Sequence, residues 1–377
     1  MKKLRIGFIG IFFLILVVFF INTVTSNKEI SDVEKRVLAT FPDIKDIGNE
    51  DFFDNVTSAF SDQLYGRDEL IKWYYLFQFQ RYLGDVVEGK DGEMFSSVQT
   101  PYDIDLYTEE MLVAIDDVNE VADELDSYGI KFIFLNIPRK DAYLEDYLPS
   151  TYTSSRERYS YGVNLIRENV SDKVIVMDAL EIFENNKSDN HYYYKTDHHI
   201  NVRGGYLLYK ELMNYMDVKP YDLDDMFDIE TVTVNGSFNK QVGQSVPLAK
   251  EELCLTLKQD LEYTRYDNGR KDNIPIWGKG HDYATAYMTD DIGLTIIDTN
   301  RDELPNVMYV GSSYTNVLEA LTVPSVNRMM SIDYRDNHTG TSIVDYAKEY
   351  DIDYVVFIPA QSNNSLNPDK IIEHLGK

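Results

Sequence analysis

Two short stretches bring together side chains suited to acyl chemistry. In the first, Tyr192-Tyr193-Tyr194-Lys195-Thr196-Asp197-His198-His199, two of the chain's 6 histidines stand beside an aspartate. In an extended segment, side chains two apart share a face. Asp197 and His199 are therefore expected to face one way and His198 the other. A carboxylate that holds one imidazole nitrogen leaves the second free to accept a proton. In the second stretch, the apolar run 307–310 enters Gly311-Ser312-Ser313-Tyr314 and then a helical pattern over 316–321. Open α/β sheets place their reacting groups at such strand-to-helix turns. Gly311 permits tight turning and close backbone approach. Ser313 would stand at the helix N-terminus, where free N–H groups and the dipole favour negative charge. The candidate nucleophile, base and orienting carboxylate are thus Ser313, His199 and Asp197.

Each motif has a plainer reading. Serine before a helix is a preferred N-cap, and an Asp-His-His loop also suits a surface turn or a weak metal site. Three successive residues do not easily surround one ion, and His191, His281, His338 and His374 show no ligand-pair spacing. A metallohydrolase therefore ranks last and no metal is expected. Asn136 and Arg139 end an apolar run at the same expected sheet edge and are candidate oxyanion donors beside the Ser313 N–H. Arg139 suits a surface ion pair equally well. Tyr314 either lines the pocket or packs on its helix, and Arg335, after Asp333-Tyr334, is a further pocket candidate.

These residues need a sheet to position them. Apolar runs at 131–137, 173–177, 307–310, 328–332 and 354–358 alternate with helical patterns at 106–128, 159–169, 202–216 and 342–350. Such alternation predicts a parallel sheet with helices on both faces. Residues 222–299, rich in Thr, Asn, Gly and Asp, read as a β-rich excursion from the same domain, a lid or a substrate wall. The α/β domain is expected to span 51–377. It would open with two helices over 52–82, broken at Gly66-Arg67-Asp68, and a turn at 89–95 that feeds a short strand. Residues 26–50 read as a stalk.

Residues 1–25 read as a targeting segment. Lys2, Lys3 and Arg5 precede an apolar run over 6–21, and no small-x-small cleavage site follows. An uncleaved membrane anchor is favoured over a cleaved signal peptide. The basic flank would keep the N-terminus in the cytoplasm and the rest outside. A formal net charge of -28 excludes nucleic acid as a partner and leaves membrane attachment to the N-terminal helix. Cys254 is the single cysteine, so there is no disulfide framework. The 29 tyrosines suit partly apolar, partly wet clefts, sugar-binding ones included.

Thr196-Asp197-His198-His199 with Gly204-Gly205, Ile137-Pro138-Arg139-Lys140, Gly311-Ser312-Ser313 and Asp333-Tyr334-Arg335, together with the basic anchor and 36–42, resemble the bacterial DHHW proteins. These look like relatives of the alginate O-acetylation proteins, whose domain is an SGNH-hydrolase-like α/β fold. The resemblance implies a triad on Ser313, His199 and Asp197. It also implies an O-acetyltransferase or acetylesterase acting on cell-surface or exported polysaccharide. A multipass membrane O-acyltransferase would be its partner, and no cofactor is implied. Ile200 departs from the pattern, since the family has Trp there, to pack either a sugar ring or the loop itself. Ile200 and the many tyrosines favour the alternative, a glycan-binding or assembly factor without catalysis.

Overall fold

The computed structural model describes residues 2–31, 33, 36–80, 84–97, 103–186, 191–243, 246, 248–288, 292–359 and 366–375. Arg81 and Tyr82 of the expected second helix and the side chains of Lys2 and Lys3 lie outside the described residues. The chain divides into two compact units, Met1–Gly84 with Asn239–Pro247, and Asp85–Phe238 with Leu248–Lys377.

In the first unit, α1 spans Lys2–Val24. Its stretch Arg5–Val24, of mean hydropathy 2.6, is long and apolar enough to cross a membrane, as a signal sequence also is. Helices α2 (Phe52–Asp62) and α3 (Arg67–Gln80) are separated at Gly66, whose φ of 75° ends the first segment. The expected stalk does not stand free of them. Ser26 Oγ donates to Gln63 Oε1 at 2.6 Å, and Arg36 forks onto Asp62 at 2.6 and 2.9 Å. α2 and α3 cluster with this segment, so the boundary falls after Gly84, whereas the sequence reading starts the α/β domain at 51.

The second unit is built on an eight-stranded sheet. Its strands are β1 (Lys131–Asn136), β2 (Val174–Asp178), β3 (Thr264–Asp267), β4 (Arg270–Asp272), β5 (Leu294–Asp298), β6 (Asn306–Gly311), β7 (Arg328–Ile332) and β8 (Tyr354–Ile358). The order is β2-β1-β8-β6-β7-β5-β3-β4. The first five strands in that order are parallel, as expected, and β5, β3 and β4 continue antiparallel. The 222–299 excursion is therefore in part sheet. The hairpin of Phe227–Thr233 and Lys250–Leu257 forms its own two-stranded sheet, while β3, β4 and β5 extend the central one.

Alternation along the strands makes two cores. Ile133, Leu135, Tyr309, Val356 and Ile358 point to one face, where they meet Leu208 and Leu212 of the helix Val202–Tyr215 and Val317 and Leu321 of the helix Asn316–Thr322. Phe132, Phe134, Met308, Val310 and Phe357 point to the other, against Met111, Ile115 and Val118 of the helix Ile104–Ser127. Both faces are covered, which is why these strands read as unbroken apolar runs. The register pairs Gly311 with Ile358 and Val310 with Ile332, so β6 ends at the middle of the carboxyl edge. The turn carrying Ser313 begins there.

Candidate active site

At the end of β6 a Cβ on residue 311 would meet the Ile358 carbonyl oxygen at 2.6 Å, so glycine alone fits between the two strands. The chain turns through Ser312 and Ser313 into the helix Asn316–Thr322, whose first residues are held by Thr315 N–H donating to Ser312 O at 2.8 Å. Thr315 occupies the N-cap position, and the Ser313 hydroxyl is committed elsewhere. Ser313 is half-buried, and its amide has no hydrogen-bond partner among the described residues.

The loop 194–199 brings up the other two groups. The three residues form a hydrogen-bonded chain: Asp197 Oδ1 to His199 Nδ1 at 2.7 Å, and His199 Nε2 to Ser313 Oγ at 2.9 Å. The loop is a turn where the sequence reading had an extended segment. Asp197 Oδ1 also accepts the His199 amide at 3.0 Å, closing an Asx-type turn. For that reason His198 does not point away. Its ring lies 3.9 Å from that of His199, and its Nδ1 meets Ser237 Oγ at 2.6 Å.

Asp197 is fully enclosed, with its second oxygen accepting the Ser237 amide at 2.6 Å. Burial alone would raise its carboxyl. The His199 charge and hydrogen bond, with help from His198 and the Ser237 amide, outweigh burial and hold it well below the usual carboxylate range. Burial, with the neighbouring His199, pulls His198 down to about 3, so that ring is neutral at physiological pH. The donor atoms of Asp197, His198 and His199 lie within 4.8 Å of one another, closer than successive residues were expected to bring them. Yet both Asp197 oxygens, both His199 nitrogens and His198 Nδ1 already have hydrogen-bond partners, which a cation would have to displace.

The remaining candidates divide. Tyr314 joins the group: its ring is 4.9 Å from His199 and its hydroxyl donates to His198 O at 3.2 Å. Arg139 is tied to Asp141 at 2.7 Å, and its charge acts on both His198 and Tyr314. Asn136 points its amide into the sheet, toward Met177 O at 3.4 Å, and makes no hydrogen bond to Ser313. Arg335 grips Asp333 of its own turn, its Nε donating to the two carboxylate oxygens at 2.9 and 3.0 Å. Ile200 is wholly buried in the core and bridges to Tyr193, so the side chain at this position packs the loop and not a ligand.

Two residues escaped the sequence reading. Tyr283 stacks on His199, and Ser237 supplies both an amide to Asp197 and a hydroxyl to His198. Both come from the 222–299 excursion. The only local signal was the turn Asn235-Gly236-Ser237. A Cβ at 236 would meet the Thr196 carbonyl oxygen at 2.2 Å.

A parallel sheet with helices on both faces, and a serine, histidine and aspartate meeting at its carboxyl edge, are the features of an SGNH-hydrolase-like α/β domain. Residues 86–265 match the family described as SGNH hydrolase-like domain, acetyltransferase AlgX. The match covers less than half of the chain, which is similar to that family and shares the SGNH-hydrolase-like fold. The matched stretch contains Asp197 and His199 and ends before Ser313. No curated protein matches the sequence significantly. Among solved structures, the chain is similar to a DHHW family protein from Eubacterium siraeum, with 20% identity, a TM-score of 0.61, and coverage of 77% of this chain and 95% of that one. It is likewise similar to Bacillus cereus PatB1 with a sulfonyl adduct, at 20% identity and a TM-score of 0.62, over 77% of this chain and 99% of that one. At such identities the likeness is one of fold.

Proposed function

We propose that this protein is a membrane-anchored, extracytoplasmic serine O-acyltransferase or esterase that acts on cell-surface or exported polysaccharide. The observation that carries the reading is the hydrogen-bonded chain from Asp197 through His199 to Ser313. His199 Nε2 takes the Ser313 proton as Oγ attacks an acyl carbonyl, and Asp197 holds the imidazole in the tautomer that allows this. The Ser313 amide donates to the resulting oxyanion, and Arg139 adds positive charge nearby. Collapse expels the donor's alcohol, which takes the proton from His199 and leaves acyl-Ser313. A sugar hydroxyl, or water, then attacks the ester while His199 accepts its proton. The tetrahedral adduct releases the acylated product, and Ser313 Oγ recovers the proton. The match to an acetyltransferase family supports acetyl as the acyl group, and the resemblance to the alginate O-acetylation proteins supports polysaccharide as the acceptor. A multipass membrane O-acyltransferase would supply the acyl donor outside the cell, and the helix Lys2–Val24 would keep the domain beside it.

Hydrolysis of p-nitrophenyl acetate by the purified protein tests this reading. The wild type should turn over the ester, and Ser313→Ala and His199→Ala should lose at least about 10³-fold in kcat/KM while unfolding at nearly the wild-type temperature. A folded wild type that neither cleaves acetyl esters nor transfers acetyl to a glycan would make it a glycan-binding or assembly factor.

A further inference from the structure

The motif Ile137-Pro138-Arg139-Lys140 follows β1, and the reaction above uses only its arginine. Lys140 is the more unusual residue. Its side chain is almost fully enclosed, at 3% exposure, and forms an ion pair with Glu93, itself at 0%, at 2.9 Å. A buried charge is retained only where geometry and hydrogen bonding compensate its lost hydration. Here the compensation comes from the loop that carries the reactive groups. Lys140 Nζ donates to Tyr194 O and to Lys195 O, each at 2.7 Å, and lies 3.5 Å from Asp197 O. The same motif grips that loop a second time, because the Tyr193 hydroxyl donates to Pro138 O. Glu93 is fixed in turn by His191 Nδ1 at 2.8 Å, and the Lys195 amide is held by Glu251 at 3.0 Å.

We infer that Lys140, paired with Glu93, is a positioning residue for the reaction. Its ammonium gathers the carbonyls of residues 194 and 195 and thereby sets the place of Asp197 and His199 relative to Ser313. This role rests on the catalytic reading above. Among the described residues the loop's sheet pairing is limited to the bridge of Tyr193 to Ile200, with the Met94 and Phe238 amides donating to the Lys195 and Thr196 carbonyls. An ammonium is suited to the task because three donors on one point can satisfy several converging carbonyls. Neither Lys140 nor Glu93 needs to touch substrate. Displacing a base by about 1 Å costs on the order of 100-fold in rate, even when the changed residue is remote from the chemistry.

The test uses the full chain with Lys140→Met and Glu93→Leu combined, so that no unpaired charge remains buried. Thermal unfolding, steady-state kinetics on p-nitrophenyl acetate, and the low-field proton NMR resonance of the His199 Nδ1–H bonded to Asp197 are measured together. A positioning role predicts a folded protein with KM within about twofold of wild type, kcat reduced about 10- to 100-fold, and a shifted or broadened resonance. Lys140→Gln combined with Glu93→Gln keeps a donor and an acceptor and should recover most of kcat; Lys140→Met combined with Glu93→Gln, which removes the donor alone, serves if the apolar pair does not fold. Unchanged kcat and an unchanged resonance in a folded variant that carries Lys140→Met would overturn the inference. Absence of wild-type turnover, with the resonance still moving in the variants, would overturn the catalytic reading and leave the positioning of His199 standing.

Discussion

The imidazole of His199 lies flat on the ring of Tyr283, with centroids 3.9 Å apart and planes 2° apart. Tyr283 is buried, and its hydroxyl accepts the Val317 amide at 3.1 Å, so one side chain joins the histidine to the helix that follows Ser313. This flat contact fixes the ring orientation that the hydrogen bonds to Asp197 and Ser313 require. Tyr283→Phe keeps the face and loses only the hydroxyl, and should stay within about threefold of wild-type kcat. Tyr283→Ala opens a cavity beside the base. It should cost about 3 kcal/mol in denaturant unfolding and about tenfold or more in kcat.

Gly236→Ala examines the wall behind Asp197. The added methyl would meet the Thr196 carbonyl oxygen at 2.2 Å and Asp197 Cβ at 2.7 Å, and backbone cannot yield as a flexible side chain does. The expected outcome is a loss of about 1–3 kcal/mol in stability and a fall in kcat larger than that of a surface control such as Gly48→Ala, where an added methyl meets nothing within 4 Å. Equal activities in the two variants would show that the 235–237 turn does not support Asp197.

Glu319 gives a pH dependence with a defined sign. Burial pushes this enclosed carboxyl up to about 7, against hydrogen bonds from Thr315 and Ser331. Its folded value lies above its unfolded value of about 4.3. The stability it contributes is therefore complete below about pH 4 and is lost as pH rises through 7. Glu319→Gln should remove part of the wild-type fall in stability between pH 5 and pH 8, by up to about 3 kcal/mol, and so gain relative to wild type at the higher pH. Guanidinium unfolding at the two values measures the difference. Glu251, also raised to about 7, contributes a slope of its own that this variant should leave in place.

The N-terminal segment is open to a direct chemical test. If Arg5–Val24 is an uncleaved anchor, the membrane fraction should resist alkaline extraction and N-terminal sequencing should begin at the start of the chain. A soluble form beginning near residue 26 would make the segment a signal peptide.

How far the sequence reveals this structure depends on where each strand sits. β1, β6, β7 and β8 are legible because apolar side chains fill both faces, leaving unbroken runs such as 131–137. β3 is not, because Thr264-Arg265-Tyr266-Asp267 reads as a polar surface segment. In the structure Arg265 is buried, with its guanidinium on Asp267 at 2.9 Å and on Met288 O at 2.9 Å. A buried charge satisfied by an aspartate two residues on and by the Met288 carbonyl far along the chain leaves no apolar periodicity to read. The Asp197 and His199 pair was legible in its types and spacing, but its shape was not. The aspartate bonds its own backbone two residues on and folds the segment into a turn, which brings His198 alongside instead of away. Tyr283 and Ser237 act across long sequence separations from a stretch whose composition suggested only a β-rich excursion.

The central claim is that Ser313 Oγ carries the acyl group. Intact-protein and peptide mass spectrometry after brief exposure to p-nitrophenyl acetate, quenched in acid, reads this directly. Wild type should carry one added acetyl on the peptide containing Ser313, accumulating further in a variant slow to deacylate and absent from Ser313→Ala and His199→Ala. A sulfonyl fluoride should block the same residue and prevent acetylation. Equal acetyl incorporation by wild type and Ser313→Ala, or turnover by wild type with Ser313 irreversibly blocked, would contradict it.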